Sequence, residues 1–329
     1  MIDLSTTYLG LRLPHPLVVG AGPIGDDLDA VRRAEDAGAA AIGLRSLFEE
    51  QLRLEELTHD AHRGHHSAEA ASYLPPVSDY VLGPDAYLEH VAKVKRAVAV
   101  PVIASLNGVT DDGWLHHAKL IADAGADALE LNVYAVGGDP GEDAAAVEAR
   151  LVAMVRHVVR ETPIPIAVKL SPFYTALAHT ARALVDAGAR GLVLFNRFYQ
   201  PDIDPEALDV SLRLTLSTPA ELLLRLRWLA LLTGRIDASL AASGGVHSGQ
   251  DALKAVMAGA DCVQMMSALL HHGVEHLATV KGELARWLED REYESLDQAK
   301  GSMSLARSPR PEAYERANYI RVLTGYARR

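Results

Sequence analysis

A four-residue junction recurs along this chain and constrains its fold more than any other feature of the sequence. Three copies read Asp-Ala-Gly-Ala, at residues 36–39, 123–126 and 186–189, and a shortened Ala-Gly-Ala occupies 258–260. Each follows a stretch with helical apolar spacing and precedes a short apolar run. Glycine just after a helix adopts the left-handed conformation that strains other residues, and a buried parallel strand reads as a continuous apolar run. The junctions therefore predict alternating helices and parallel strands.

Eight short apolar runs follow this rhythm, and each can be read as a buried strand. Eight parallel strands with intervening helices form a (β/α)8 TIM barrel, a fold of about 250 residues before extensions. The chain has 329 residues and 49% hydrophobic content, enough for one such α/β domain over 1–329. An open, doubly wound sheet is the alternative. The candidate strands are residues 17–20, 41–44, 102–106, 128–133, 166–170, 191–195, 239–242 and 262–265.

Further segments are expected at both ends of the barrel. Leu9-Gly10 separates residues 4–8 from 11–13, which predicts an N-terminal hairpin that closes the barrel bottom. Residues 292–329 have a helical composition with a break at Pro309 and Pro311, so we expect a C-terminal helical extension. Residues 59–80 have no helical period and predict a long loop over the barrel top.

Charge and cysteine content restrict the partners and the location. The chain has 32 Lys and Arg against 43 Asp and Glu, a formal net charge of -11, which disfavours nucleic acid as a partner. The single cysteine, Cys262, lies in an apolar run and cannot form an intrachain disulfide. No signal peptide or uncharged apolar run of about 18 residues is evident. We therefore expect a cytoplasmic protein with no membrane partner.

The loops after the seventh and eighth predicted strands are the places where such barrels commonly bind phosphate. The seventh contains Gly244 and Gly245 and opens into a helix, so its backbone N–H groups can approach an anion closely. The eighth contributes Met266 and Ser267. The alternative is that these glycines only turn the chain.

Polar residues also end the predicted strands where a ligand would lie. Lys169 interrupts the fifth apolar run, and it could contact the electron-rich edge of a flavin or form an inward salt bridge with Glu130. Asn132 and Asn196 end the fourth and sixth strands and can both donate and accept hydrogen bonds. Either could instead be only a turn residue.

Two further clusters have less specific interpretations. Arg45 and Ser46 follow the second strand, and Arg45 could contact a ligand or pair with Glu49 or Glu50 at the surface. The histidines of residues 59–66 have a spacing that zinc could use, but a loop without nearby cysteine is more often solvated. We therefore predict no metal site.

These residues resemble the dihydroorotate dehydrogenase family. Residues 242–264 resemble its FMN-phosphate region and residues 168–172 its flavin-lysine segment, and Ala21-Gly22, Ser105, Asn107 and Asn196 fit the same plan. The resemblance implies FMN as the cofactor, a small-molecule substrate, an unidentified electron acceptor and a homodimer. The implied cofactor residues are Ala21, Gly22, Arg45, Ser46, Asn107, Asn132, Lys169, Gly244, Gly245, Met266 and Ser267; the implied substrate residues are Asn132, Asn196 and Arg45.

The chain departs from the family at the catalytic loop. Soluble members have Asn-x-Ser-Cys-Pro-Asn after the fourth strand, and the cysteine removes a proton from dihydroorotate. Ala135 stands at that position here, so the neighbouring Tyr134 is the remaining candidate for the base. The implied catalytic residues are therefore Tyr134 and Lys169. Arg45 replaces the usual lysine, Met266 replaces a glycine, and residues 72–76 match the substrate loop poorly.

The resemblance thus implies an FMN-dependent oxidoreductase of the type found in pyrimidine biosynthesis, acting on a CH–CH bond of an altered, dihydropyrimidine-like substrate. Two alternatives stay open. One is a flavoprotein that serves as an electron-transfer or regulatory subunit, which the loss of the cysteine favours. The other is a flavin-free, phosphate-binding barrel enzyme.

Overall fold

Eight parallel strands form a closed barrel in the computed structural model, which describes residues 2–52, 82–108, 115–133, 137–197, 200–211 and 214–326. The strands follow one another around the barrel in chain order, so the TIM-barrel prediction is confirmed and the open sheet is wrong. The barrel strands are β3 (Leu17–Val19), β4 (Ile42–Phe48), β5 (Val102–Asn107), β6 (Ala128–Asn132), β7 (Ile166–Leu170), β8 (Gly191–Leu194), β11 (Ser239–Ser243) and β12 (Cys262–Met265). Two further pairs are β1 (Thr6–Tyr8) with β2 (Leu11–Leu13), and β9 (Asp202–Asp204) with β10 (Asp209–Ser211).

Amphipathic helices surround the barrel and bury one face on it. In the helix before β5, for example, Tyr87, Val91 and Val94 are buried at helical spacing. The described helices are α1 (Leu28–Asp36), α2 (Pro84–Ala97), α3 (Leu115–Asp123), α4 (Ala144–Glu161), α5 (Leu177–Asp186), α6 (Leu222–Leu232), α7 (Gly249–Ala258), α8 (Ser267–His272), α9 (His276–Glu289), α10 (Leu296–Ala299) and α11 (Tyr319–Tyr326). Among the described residues, no helix is both long and apolar enough to cross a membrane.

The junction glycines end helices as the sequence predicts. Gly38, Gly125, Gly188 and Gly259 have φ values of 90°, 102°, 108° and 122°, all in the region that favours glycine. Each is followed within a few residues by a barrel strand. The repeated sequence thus corresponds to a repeated structural unit.

The N-terminal hairpin seals one end of the barrel. Its turn residues Leu9 and Gly10 have positive φ, and the side chains of Tyr8, Leu9 and Leu13 are buried in one cluster with inward residues of the barrel. Cys262 lies in the same cluster, and burial raises the pKa of its thiol well above its usual value. This end of the barrel is therefore closed and apolar.

The rest of the extensions agrees only partly with the sequence prediction. After α9 the chain contains two short helices, α10 and α11, separated by turns and by the 3-10 segments Pro311–Tyr314 and Arg316–Asn318. The break at Pro309 and Pro311 is present, but the segment is less helical than its composition indicated. The exposed β9–β10 hairpin was not predicted.

Strand register brings polar side chains to the opposite end of the barrel. Asn107 pairs with Asn132 and Asn132 pairs with Lys169, so three adjacent strands have polar residues at one level near their carboxyl ends. Ser243 at the end of β11 pairs with Gln264 of β12. The carboxyl ends of the strands thus form the polar end of the barrel, where barrel enzymes have their active sites.

Candidate active site

A cavity of about 390 Å³ opens at the carboxyl ends of the barrel strands. A volume in this range suits a small organic ligand or cofactor. Sequence-predicted residues from the carboxyl ends of seven of the eight barrel strands, or from the loops after them, line it, and Asn107 of β5 does not. The predicted residues in the lining are Ala21, Gly22, Arg45, Ser46, Asn132, Lys169, Asn196, Gly244, Gly245, Met266 and Ser267.

Three buried side chains form what we call the polar floor: Lys169 and Gln264, which line the cavity, and Glu130, which contacts both of them. Lys169 Nζ donates to Glu130 Oε1 at 3.0 Å and to Gln264 Oε1 at 3.2 Å, and Gln264 Nε2 donates to Glu130 Oε2 at 2.5 Å. The side chains of Lys169 and Glu130 are only 9% and 3% exposed. The salt bridge that was the alternative interpretation of Lys169 is therefore present. The lysine also lines the cavity, so pairing and ligand contact are compatible.

The two predicted asparagines lie on either side of this floor. Asn132 Oδ1 is buried and has no hydrogen-bond partner among the described residues. Such an atom is costly to leave unsatisfied, so a bound group that donates a hydrogen bond would relieve it. Asn196 also lines the cavity, and its backbone N–H donates to Leu170 O.

The loops after β3 and β4 form one wall. Gly22 is extended, and a Cβ atom there would lie 2.8 Å from the side chain of Met266, so the glycine keeps room for that methionine. The letters of residues 20–25 fit Gly-x-Gly-x-x-Gly, but they lead into the 3-10 turn Pro23–Asp26 of a barrel rather than the helix of a dinucleotide-binding unit. The pattern is therefore no evidence of a dinucleotide site.

Arg45 has a different partner from those considered in the sequence. Its Nε and Nη2 donate to the carboxylate of Asp26, at 2.9 and 2.6 Å from Oδ2, so the partner that the structure gives Arg45 is Asp26 rather than Glu49 or Glu50, which were the alternative to ligand contact. Asp26 is the partner because the 3-10 turn after β3 places its carboxylate next to Arg45, although the two residues are 19 positions apart in the sequence. Ser46 Oγ lies 2.7 Å from Ser105 Oγ on the next strand.

The loops after β11 and β12 meet at what we call the glycine-loop end of the cavity: Gly244, Gly245, Met266 and Ser267. Gly244 and Gly245 have φ values of 86° and 83°, and a Cβ atom on Gly245 would lie 2.6 Å from Leu222 N. Glycine is therefore required at 245 both by conformation and by space. Beyond it, Ser248 and Asp251 form a capping box at the start of α7.

Ser217 joins these two loops, and sequence reasoning missed it. Its hydroxyl accepts from Gly245 N at 3.2 Å and donates to Ser267 Oγ at 2.9 Å, while its backbone N–H donates to the same Ser267 oxygen. His247 contacts the Ser217 carbonyl oxygen at 2.8 Å. No local motif marks Ser217, because it lies about 30 residues before the loop it contacts.

Two arginines at this end were also missed. Arg225 of α6 is 6% exposed, and burial lowers the pKa of its guanidinium. Arg197 follows Asn196 and donates from Nη1 to both Glu221 oxygens at 3.1 Å, while its buried Nε has no partner among the described residues. Both arginines line the cavity. The only sequence signal for Arg225 is a charged residue inside an apolar helix.

Several predicted residues lie outside the described residues. They are Tyr134 and Ala135 of the catalytic loop, the histidines of residues 59–66 and the loop of residues 72–76. Within the part of the chain that the structure describes, no group of three or more His, Cys, Asp or Glu side chains could hold a metal ion.

The described lining suits a planar polar ring with a phosphate tail. The polar floor and the unsatisfied Asn132 oxygen would face hydrogen-bonding ring atoms. The glycine-loop end has two glycines and the hydroxyl of Ser267 in the cavity lining, which suits an anion. FMN has both parts, so the described lining fits this cofactor.

Comparison with known proteins places this arrangement in context. The family model for dihydroorotate dehydrogenase matches residues 80–288, which contain all but the first two barrel strands. The catalytic subunit of dihydroorotate dehydrogenase B (NAD+) from Thermoplasma acidophilum is 26% identical over 309 residues, covering 92% of this chain and 99% of that protein. The subunit of the same name from a Geobacter species is 32% identical over 239 residues, covering 68% and 75%. The chloroplastic dihydropyrimidine dehydrogenase (NADP+) of Arabidopsis thaliana is 21% identical over 327 residues, covering 91% and 76%.

Proposed function

Because this chain belongs to the dihydroorotate dehydrogenase family, we propose that it is an FMN-dependent oxidoreductase that acts on a CH–CH bond of a dihydropyrimidine-like substrate. The observation that carries the proposal is the buried Lys169 of the polar floor, which lines the same cavity as the glycine-loop end. A buried cation and an anion-binding loop in one cavity match the two ends of FMN.

Bound FMN would supply the hydride acceptor, and the residues of the chain would position it and balance its charge. Lys169 places a positive charge in a largely buried position, so it would favour the negative charge that reduction adds to a ligand beside it. Glu130 and Gln264 fix the lysine side chain in one orientation. Asn132 Oδ1, which has no partner among the described residues, would accept a hydrogen bond from the ring of the cofactor or the substrate.

The substrate side of the proposal rests on Asn196 and Arg197. Both follow β8 and line the cavity, and the buried Nε of Arg197 is free to donate to a carbonyl or carboxylate oxygen. Dihydropyrimidines carry ring carbonyls, and some also carry a carboxylate. A substrate of this class would accept a hydrogen bond from Arg197 Nε, which has no partner among the described residues.

The proton acceptor differs from that of the soluble family members, because Ala135 cannot accept a proton. This substitution favours a second candidate function: an electron-transfer or regulatory flavoprotein in which the substrate half of the site has lost turnover. The two functions differ in one measurable property, since only an enzyme has its flavin reduced by a small organic substrate.

The test is anaerobic reduction of the purified protein. We expect a yellow protein whose extracted cofactor has the mass of FMN, and whose visible absorbance bleaches on addition of one member of a panel of dihydropyrimidines and related acids. Reoxidation by NAD+, NADP+ or an electron-carrier protein then identifies the acceptor. A colourless protein that gains no flavin absorbance with FMN contradicts the proposal, and a flavoprotein that no substrate bleaches favours the electron-transfer function.

A further inference from the structure

Arg225 is a buried cation with one end directed at the glycine-loop end of the cavity. Its Nε donates to Ser243 O at 2.9 Å and its Nη1 donates to Glu221 O at 2.8 Å, so the backbone holds two edges of the guanidinium. The third nitrogen, Nη2, lies 3.1 Å from where a Cβ atom of Gly244 would be. Its nearest charged partner among the described residues is the Glu221 carboxylate at 3.9 Å, beyond hydrogen-bond distance.

The charges around the cavity are not balanced at this end. The Asp26 carboxylate pairs with Arg45, and the Glu130 carboxylate pairs with Lys169. One carboxylate, Glu221, then serves both Arg197 and Arg225, and it binds Arg197 more closely, at 3.1 Å. The described lining and its direct ion-pair partners thus have one more cation than carboxylates.

A buried cation without a close counterion is unfavourable unless a ligand completes its environment. Burial lowers the pKa of Arg225, which is the direction expected for a guanidinium whose charge is poorly compensated. The planar guanidinium forms two-pronged, charge-assisted hydrogen bonds with phosphate, whose geometry it matches. The neighbouring Ser267 hydroxyl, which accepts from Ser217 and lines the cavity, adds a donor of the kind that an anion uses.

We propose that Arg225 is a side-chain ligand of the phosphate group of the bound flavin, and that it makes the site prefer FMN over riboflavin. This inference rests on the proposed function, because it assumes a flavin in the cavity. It adds a charged side chain to a site that the sequence predicted to consist of backbone N–H groups and a serine.

The test compares two ligands that differ only in the phosphate. Flavin is removed from the wild-type protein, from Arg225→Gln and Arg225→Lys, and from the matched control Arg227→Gln. Arg227 belongs to the same helix but is exposed, so its replacement makes the same change in net charge away from the cavity. Dissociation constants for FMN and for riboflavin are measured by quenching of flavin fluorescence.

We expect Arg225→Gln to weaken FMN binding roughly 10- to 100-fold, as for loss of a charged hydrogen bond, and to change riboflavin binding less than about 3-fold. Arg225→Lys keeps the charge without the planar fork and should lie between the wild type and Arg225→Gln. Arg227→Gln should bind both ligands as the wild type does. Riboflavin binding also serves as the folding control, since a variant that binds it normally has an intact cavity.

Four results would overturn the inference or its premise, and they can be told apart. Equal weakening of FMN and riboflavin in Arg225→Gln would mean that Arg225 only supports the Ser243 loop. Unchanged FMN binding in the same variant would remove Arg225 from the phosphate site. If Arg225→Gln does not fold, the test rests on Arg225→Lys. An unaltered preference of that variant for FMN over riboflavin then counts against the inference. Failure of the wild type to bind either flavin contradicts the proposed function itself.

Discussion

The Lys169 ammonium lies 3.0 Å from the Glu130 carboxylate on the adjacent strand, and Gln264 on the far side of the barrel contacts both. The lysine pairs in register with Asn132 rather than Glu130, so its side chain reaches inward from the mouth of the barrel to the glutamate. Both side chains are largely buried, with 9% of Lys169 and 3% of Glu130 exposed. The pair therefore affects both the stability of the fold and the electrostatics of the cavity.

The first prediction concerns the stability of this pair. Glu130→Gln leaves the buried Lys169 without a counterion, so we expect it to lower the free energy of unfolding by about 3 kcal/mol. The double variant Glu130→Gln/Lys169→Gln should lose less unfolding free energy than the sum of the losses in the two single variants, because it leaves no unpaired buried charge. Urea unfolding of the four proteins measures this coupling. Strict additivity would mean that the pair contributes no interaction energy.

The second prediction separates an electrostatic role of the pair from a structural one. Lys169→Gln should lower the midpoint potential of the bound flavin by about 30 mV or more, whereas Glu130→Gln should raise it, because the two changes alter the local charge in opposite directions. For a two-electron couple, 30 mV corresponds to about 1.4 kcal/mol. Anaerobic dye-coupled titration gives the potentials without a substrate. Shifts of the same sign in both variants would argue for a general change of structure.

The third prediction compares Gly245 and Gly234, which have similar backbone conformations but different neighbouring atoms. Gly245 and Gly234 have φ values of 83° and 75°, but only Gly245 would bring a Cβ atom against backbone, 2.6 Å from Leu222 N. Gly234→Ala should cost about 1 kcal/mol of unfolding free energy from backbone strain alone. Gly245→Ala should cost more and should also weaken FMN binding at least 10-fold. Thermal unfolding and flavin titration check both, and equal behaviour of the two variants would contradict the assignment of the loop.

Much of the fold was predictable because its signals are local. A glycine just after a helix and an apolar run of four to six residues are read directly from the chain, and all eight barrel strands were predicted within a few residues of their observed bounds. The family resemblance is confirmed by the match over residues 80–288. The β9–β10 hairpin was missed because its strands are three residues long and exposed, so they have no buried face to create a pattern.

The missed parts of the candidate site depend on contacts between distant residues. Arg225 and Arg227 are two positions apart on α6 and so face different directions, but the sequence does not indicate which of them is buried. Asp26 competes with Glu49 and Glu50 for Arg45, and the outcome depends on the turn after β3. Gln264 reaches Lys169 only because the barrel closes between β12 and β3. Each of these pairings follows from the barrel geometry rather than from local spacing.

The fourth prediction concerns stability in mild acid. His15 is 5% exposed, its Nδ1 accepts a hydrogen bond from Leu17 N, and burial, with a smaller contribution from Lys281, lowers its pKa to about 4. In the unfolded chain its pKa is near 6.5, so between about pH 6.5 and 4 the unfolded state binds more protons. Stability should therefore fall as the pH falls through this window, by up to about 3 kcal/mol.

The measurement for His15 is the pH dependence of urea unfolding from pH 7 to 4.5. His15→Gln should lose less stability over this range than the wild type, because the substituted side chain does not take up a proton on unfolding. The exposed His116 provides the matched control, and His116→Gln should follow the wild-type profile. A His15→Gln profile parallel to that of the wild type would show that the acid sensitivity arises from other groups.

The last prediction concerns the missing base: the wild-type protein should oxidise dihydroorotate poorly or not at all, and Ala135→Cys should raise any measurable rate. General-base catalysis typically contributes about 10² to 10⁴-fold, and a methyl group supplies none of it. Tyr134 is a weak base at neutral pH unless its pKa, ordinarily about 10, is lowered. The gain from cysteine should be modest, since poor positioning of dihydroorotate by residues 72–76 can cost as much as a missing base. Stopped-flow bleaching of the wild-type flavin by dihydroorotate is the decisive measurement, and a rate on the order of 10 per second would mean that another residue is the base.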